Sequence, residues 1–463
     1  MSQLAFSSLK LNPALLTNIT TLGYTGMTPI QAQSLPPILE GKDVLAQGKT
    51  GSGKTAAFTL GLLQHLDATR FQVQSLVLCP TRELADQVAG EVRKLARTMP
   101  NIKVLTLCGG APFKAQAESL ESGAHIVVGT PGRVEDHLRR STLKLEQLNT
   151  LVLDEADRML DMGFQDSLDA IIDQTPMPRQ TLLFSATFSD PIRSISKRIM
   201  SDAVEIIVEE THDESSIQQY RYKLADYQDR LTALRLLLMH YQPASAVVFC
   251  KTKQETQDVA DALSEHGFCT VALHGDLEQR ERDQTLVQFA NKSAAILVAT
   301  DVAARGLDIE ELDAVINYHL ANDPESHLHR IGRTGRAGNK GIACTLYDEK
   351  EEYKIAQLEV SLNRDIEARP LPPTSVLNKP SYQALMSTLK IDGGKKQKVR
   401  PGDILGALTG ENGISGQQVG KIKIYDNWSY VAVSRDAAKA ALNKLGKGKL
   451  KGRSFRVRQI LNK

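Results

Sequence analysis

The chain contains a partial copy of itself. The stretch VLCPTRELADQVA, residues 77–89, returns without gaps as VFCKTKQETQDVA, residues 248–260, at an offset of 171. IVVGT (126–130) returns as ILVAT (296–300) at an offset of 170 and in the same order. Cys79 with Cys250, Thr81 with Thr252 and Val88 with Val259 fall in register. Two matches at nearly one offset predict two related lobes, residues 1–210 and 216–370, joined by the acidic, polar EETHDESS at 209–216.

Short β-branched runs fill both lobes. They are DVLAQ, SLVLCPT, VLTLCGG, HIVVGTP, TLVLDEA and TLLFSAT in the first, and AVVFCKT, TVALHGD and AILVATD in the second. Helical patterns separate most of them, so the fold class is α/β, each lobe built on a largely parallel sheet. In nearly every case the chemistry-bearing residues follow the apolar run, at the carboxyl edge where open α/β sheets bind ligands.

Only the first lobe carries a phosphate loop. GKTGSGKT, formed by Gly48, Lys49, Thr50, Gly51, Ser52, Gly53, Lys54 and Thr55, fits GxxxxGK[ST] between a short strand and a helical stretch. Gly51 and Gly53 let backbone N–H groups approach phosphate oxygens, Lys54 reaches the terminal phosphates, and Thr55 can ligate magnesium. This explains a second oddity: in LVLDEADRML (151–160) an apolar run ends in Asp154, Glu155 and Asp157. Like charges collected at a strand end call for a cation. Asp154 has the place of the residue that holds the magnesium, and Glu155 is placed to orient or activate the attacking water. An acidic strand end that merely caps the next helix is the plainer alternative.

Phosphoryl transfer usually takes an arginine as well. HRIGRTGR, His329–Arg336, sets three arginines at intervals of three among glycines. That spacing also suits a salt-bridged helix face, but Gly332 and Gly335 make such a helix poor. Arg333 and Arg336 are therefore the expected arginines at the γ-phosphate, reached when the lobes close.

Composition excludes other classes. The five cysteines contain no CxxC pair, which argues for reduced thiols, no structural metal and a cytoplasmic compartment. No apolar run approaches the roughly 20 residues that span a bilayer, so membrane roles are set aside. The net charge of +2 hides an asymmetry: from Lys390 onward there are 17 Lys and Arg against 5 Asp and Glu. A basic tail on an acidic body suggests a polyanion-binding module, or else a solvated disordered tail.

The motif series of residues 1 to about 370 resembles the DEAD-box RNA helicases: GKTGSGKT, PTRELADQ (80–87), TPGR (130–133), DEAD itself, SAT (185–187), ATDVAARGLDI (299–309) and HRIGRTGR, in family order. The resemblance implies two tandem RecA-like lobes, ATP and Mg2+ as cofactors, and RNA as the partner. It implies that Gln31 of GYTGMTPIQ (23–31) reads the adenine edge, with Phe6, Tyr24, Gly306 and Asp308 also at the nucleotide. Tyr24 stands where the family often has Phe. Pro80, Thr81, Arg82, Gly110, Thr130, Pro131, Gly132 and Arg133 would contact the sugar-phosphate backbone of one strand, as would Thr252, Arg282, Thr300 and Asp301 in the second lobe. Ser185, Ala186 and Thr187 would couple hydrolysis to RNA binding. Such an enzyme closes on ATP and a bent strand and pries short duplexes apart locally. An ATP-gated clamp with little unwinding, or a helicase acting on DNA, remains open at this point.

After RPLPPTSV a linker is expected over 371–394, helical in part, and then a small α+β domain over 395–463 reading strand, helix, two strands, helix, strand. Alternation in GKIKIYDNWSYVAV and RSFRVRQI sets Lys421, Lys423, Tyr425, Trp428, Tyr430, Arg456 and Arg458 apart from the apolar residues, on a face predicted to be open. Aromatics and cations on a sheet are what an RNA-recognition-motif (RRM-like) domain uses. The usual GF/YGFV core is NWSYVAV here. In length and sequence the tail resembles the RNA-binding domain of the bacterial DbpA-type helicases. That implies a 23S rRNA hairpin and pre-50S ribosomal particles as partners, and a protein acting as a monomer or weak dimer.

Overall fold

The computed structural model describes residues 4–48, 51–208, 217–225, 230–304, 312–335 and 340–460. They divide into two compact units, one ending at residue 208 and the other beginning at 217. The expected linker 209–216 lies outside the described residues.

The first unit is a seven-stranded sheet. Its strands are β1 (Val44–Gln47), β2 (Ser75–Leu78), β3 (Val104–Leu107), β4 (Ile126–Gly129), β5 (Thr150–Asp154), β6 (Gln180–Ser185) and β7 (Val204–Ile207). They lie in the order β3-β4-β2-β5-β6-β1-β7, every pair parallel. Both faces are covered, as parallel sheets require. Along β4, Ile126 and Val128 pack into one core and Val127 into the other; along β5, Val152 takes the first while Leu151 and Leu153 take the second. This two-sided burial is why the strands read as continuous apolar runs.

The second unit repeats the plan. Its strands β8 (Ile217–Lys223), β9 (Ala246–Cys250), β10 (Thr270–Leu273), β11 (Ile296–Thr300), β12 (Ala314–Asn317), β13 (Gly341–Tyr347) and β14 (Glu367–Ala368) take the order β10-β11-β9-β12-β13-β8-β14, again all parallel. Position for position, the two orders are the same. The self-matching segments fall on β2 with β9 and on β4 with β11, so the sequence repeat is a structural repeat.

The C-terminal module is a four-stranded antiparallel sheet of β15 (Met386–Ile391), β16 (Val419–Ile424), β17 (Ser429–Ser434) and β18 (Val457–Ile460), in the order β16-β17-β15-β18. Helices Pro401–Thr409 and Ala438–Lys447 complete it, with Ile404, Leu408, Ala441 and Leu445 packed on Leu389, Ile391, Val431 and Val433. The strand and helix order agrees with expectation. β15 lies within the stretch expected to be a partly helical linker, and its strand Met386–Ile391 is part of the four-stranded sheet. The residues Ala384–Leu389 suit a helix, but pairing on both sides of β15 overrides that local preference.

The predicted open face is also corrected. Lys423, Tyr430, Lys390 and Arg458 form one cross-strand row, as alternation implies, yet Tyr430 is 0% and Lys390 1% exposed. The second lobe covers this part of the face. Arg280 lies over the Trp428 ring (5.4 Å to the centroid), and Thr388 of β15 bonds Asn291 Nδ2 (3.1 Å) and Ser293 Oγ (2.7 Å). Lys421, Lys423, Arg456 and Arg458 stay exposed, and Tyr425 is half-buried.

Candidate functional site

The carboxyl edge of the first sheet is divided in two. β5, β6 and β1, adjacent in the sheet, deliver the DEAD carboxylates, the SAT turn and the phosphate loop; β3, β4 and β2 deliver Gly110, the TPGR turn and PTREL. The residues expected at the nucleotide and those expected at the RNA strand therefore share one edge and meet between β2 and β5.

The phosphate loop leaves β1 at Gly48 and enters helix Lys54–His65 through Gly53, whose φ of +97° is the left-handed region glycine permits. A Cβ there would come within 2.5 Å of Gln31 Nε2, so the loop needs glycine for space as well. Gln31 Nε2 donates to the Gly53 carbonyl (3.1 Å), while Gln31 Oε1 accepts from the Thr28 N–H (2.9 Å) in a capping box that starts helix Pro29–Leu39. Gln31, the residue expected to read the adenine edge, is thus seated against the phosphate loop. Lys54 is buried with Nζ donating to the Gly48 carbonyl (2.5 Å). Thr55 follows in the first helical turn, and Gly51 and Ser52 stand in the loop; Lys49 and Thr50 lie outside the described residues. Phe6 is buried, edge-on to Tyr24 at 6.1 Å, and the Tyr24 hydroxyl donates to Glu91 (2.5 Å). Burial, then that bond to Glu91, pushes the phenol pKa well above its ordinary value.

Asp154 ends β5 and is only 2% exposed. Burial pushes its carboxyl up to about 7 against the opposing pull of Lys54, and Glu155 adds to the rise. Asp157 is raised as well, chiefly by burial. Asp154 Oδ1 and Asp157 Oδ1 are buried and have no hydrogen-bond partner among the described residues. Buried carboxylate oxygens with no partner, under the pull of Lys54 of the phosphate loop, are ligands of the kind a magnesium ion takes in ones and twos alongside phosphate and water, so the residues fit that ion. Glu155 takes φ +53°, a left-handed conformation uncommon for a non-glycine residue, at the turn into helix Ala156–Asp161. The SAT turn ties the parts together: Ala186 N–H donates to Asp157 Oδ2 (3.3 Å), the Ala186 carbonyl accepts from Gln47 Nε2 (3.0 Å), and the Ser185 carbonyl accepts from the Gly48 N–H (3.0 Å). Thr187 N–H donates to Ser185 Oγ (3.4 Å).

On the other half of the edge, Pro80 is buried and Thr81 caps helix Arg82–Leu95, its hydroxyl accepting from Leu84 N–H (3.2 Å). The Arg82 guanidinium lies against Gly109, next to Gly110 at φ +80°. Thr130 and Pro131 start helix Pro131–Arg139, with Gly132 exposed; Arg133 Nη1 reaches back to the Ala111 carbonyl (3.0 Å).

The second lobe repeats this half, since β10, β11 and β9 correspond to β3, β4 and β2. Thr252 caps helix Lys253–Glu265 through Glu255 N–H at 3.2 Å, as Thr81 does in the first lobe. Arg282 Nη2 donates to the Ala303 carbonyl (2.9 Å), and Thr300 Oγ1 accepts from Ala303 N–H (3.3 Å). Asp301 is held in a bidentate pair by Arg330 Nε (2.6 Å) and Nη2 (2.7 Å). Arg330 also donates to Asn317 Oδ1 and the His319 carbonyl, so its role is internal. The sequence reading passed over Arg330, although it stands three residues before Arg333 in the same motif. Arg333 is buried after helix Pro324–Ile331, while Arg336, Gly306 and Asp308 lie outside the described residues.

A phosphate loop, an acidic strand end and a hydroxyl-bearing turn on one parallel-sheet edge define a nucleotide hydrolase, and the repeated lobe makes it one of the two-lobed helicase class. Family models match three segments: DEAD/DEAH box helicase over residues 28–195, Helicase conserved C-terminal domain over 229–338, and DbpA RNA binding domain over 388–459. The chain is 54% identical over 457 residues to the ATP-dependent RNA helicase DbpA of Escherichia coli (strain K12), covering 98% of this chain and 99% of that one. To the DEAD-box ATP-dependent RNA helicase CshA of Bacillus cereus it is 42% identical over 368 residues, 79% of this chain and 70% of the relative. The structure of S. cerevisiae Dbp5 bound to RNA and ADP BeF3 superposes with a TM-score of 0.71 at 32% identity, covering 82% of this chain and 100% of that one. The chain belongs to the DEAD-box ATP-dependent RNA helicases of the DbpA type, with an RNA-binding C-terminal domain.

Proposed function

We propose that the chain uses ATP with magnesium to clamp one RNA strand and separate short duplexes locally. Its C-terminal domain directs it to a 23S rRNA hairpin in pre-50S particles, during assembly of the large ribosomal subunit in the cytoplasm. The observation that carries the reading is the divided sheet edge, where the nucleotide half and the strand half meet at adjacent strands β2 and β5. Thr55 and Asp154 would hold the magnesium, which, when bound with ATP, neutralises charge developing on the phosphates. Lys54 leaves Gly48 for the terminal phosphates, and Glu155 orients and deprotonates the attacking water. Arg333 and Arg336 supply positive charge to the γ-phosphate when the lobes close. Thr81, Arg82, Gly110 and Arg133 hold the strand through its backbone and leave its bases unread.

Five free thiols suit a reducing compartment. Among the described residues no helix is long and apolar enough to cross a membrane. Targeting to ribosomal RNA rests on the basic tail and on the match to the DbpA RNA binding domain.

Strand release from a short RNA duplex, followed with the full-length protein, tests the reading. Release is expected to turn over repeatedly with ATP and to stop at a single round with a non-hydrolysable analogue, and a DNA duplex of the same sequence should stay paired. ATP-dependent RNA binding without release would make the protein a clamp instead.

A further inference from the structure

Helix Phe113–Glu121 lies outside every motif named above, yet one of its side chains joins two of them. Gln116 is 8% exposed. Its amide nitrogen donates to the Cys108 carbonyl (3.0 Å), next to the Gly109–Gly110 turn. Its Oε1 accepts from Arg133 Nη1 (2.7 Å) and lies 3.0 Å from His137 Nε2.

These bonds fix the chemistry of the cluster. With the amide nitrogen committed to Cys108, the atom facing Arg133 and His137 is the oxygen, so His137 must donate there from Nε2. Its Nδ1 then faces Thr142 Oγ1 at 2.8 Å. The His137 ring stacks on Phe113 at 4.2 Å, and burial followed by the Arg133 charge holds its pKa down at about 4, so the ring is neutral near pH 7. Arg133 spends both of its hydrogen bonds, to Gln116 and to the Ala111 carbonyl, from Nη1. Among the described residues its Nε and Nη2 have no partner, and that edge of a guanidinium is the fork that matches a phosphate.

We propose that Gln116, braced by His137 and Phe113, is a positioning residue for the RNA strand, locking Arg133 and the Gly109–Gly110 turn into one rigid grip that presents the Nε/Nη2 edge of Arg133 to a backbone phosphate. The inference rests on the reading of Arg133 as a strand contact. A long side chain fixed before binding has little rotamer freedom left to lose when it meets its ligand.

The test is the salt dependence of binding between the full-length protein and a labelled single-stranded RNA, with a non-hydrolysable ATP analogue present. Each phosphate contact contributes about 0.7 to the slope of log affinity against log salt for single strands. Arg133→Ala should lower the slope by about that one contact, and Gln116→Leu should lower it equally, with affinity about tenfold weaker. Combining the two should be no worse than Arg133→Ala alone. Gln116→Glu, which keeps an acceptor for Arg133 but loses the donor to the Cys108 carbonyl, should restore the slope only in part. In steady state, Gln116→Leu should raise KM for RNA and leave kcat at saturating RNA in place. Should Gln116→Leu fail to fold by circular dichroism, His137→Phe keeps the stack on Phe113 and removes the donor to Gln116 together with the Nδ1 contact to Thr142, and it should lower the slope in the same direction. An unchanged slope in Arg133→Ala would overturn the strand-contact reading itself. A lowered slope there with a normal slope in Gln116→Leu, or a double variant weaker than Arg133→Ala, would overturn the positioning role alone.

Discussion

Asp154 shows how a fold maintains a charge site at some cost to itself. In the folded protein its carboxyl keeps a proton up to about pH 7, whereas the unfolded chain releases it near pH 4. Between those values the native state binds more protons than the unfolded state, so stability falls as pH rises through the window. Asp157, raised in the same direction, adds to the fall. Asp154→Asn removes the titration. Without nucleotide or metal, the gain in Tm of the variant over the wild type should be greater at about pH 8 than at about pH 5, by at least about 2 °C. A gap that stays constant or narrows with pH would mean that the carboxylate is compensated within the fold. Glu155 is the residue proposed to activate the attacking water. Glu155→Gln should retain binding of ATP and RNA while kcat falls by a factor of roughly 10² to 10⁴, the range of a general base, as steady-state hydrolysis would reveal. Both residues were legible as a group in the sequence because three carboxylates after an apolar run have few structural excuses. The bonds around the site were not legible: that the Ala186 N–H reaches Asp157, and that Gln116 holds Arg133, depends on backbone and amide groups whose residue types carry no chemical signal.

At the scale of elements, the phosphate loop and the segment that carries Gln31 are packed as one piece. Gln31 bonds the Gly53 carbonyl and would collide with any Cβ at Gly53. Gly53→Ala therefore meets two obstacles, a left-handed conformation that costs an L-residue about 1–2 kcal/mol and a displaced Gln31. Affinity for ATP, measured without RNA by a fluorescent nucleotide, should drop at least about tenfold. Near-normal affinity would show that the loop and Gln31 move independently. Strands buried on both faces, such as β2 and β4–β6, stood out in the sequence as uninterrupted apolar runs. β8, IQQYRYK, did not, since its polar alternation suits a strand near the sheet edge. β15 was read as part of a linker because Ala384–Leu389 has helix-favouring residues and its strand character comes from partners far along the chain.

At the scale of the molecule, duplication explains the layout. Identical strand orders place Thr81 and Thr252 at equivalent helix starts, and the residues proposed to contact the RNA strand fall on the same three-strand half of each sheet edge. The self-match of the sequence at one offset was enough to anticipate this. What pattern could not reveal was the cover over the C-terminal sheet: alternation sets which side chains share a face, but not that Arg280, Asn291 and Ser293 of the second lobe would close over Trp428 and Thr388. On the proposed reading, the C-terminal domain attached in this way brings its target RNA to one lobe of the motor, so hydrolysis should respond to the identity of the RNA. The most direct test is steady-state ATP hydrolysis by the full-length protein without RNA, with large-subunit ribosomal RNA, with an unrelated RNA of equal length, and with DNA. The account predicts strong stimulation by the ribosomal RNA, weaker stimulation by the unrelated RNA and none by DNA. Equal rates with all the nucleic acids, or with none, would contradict it.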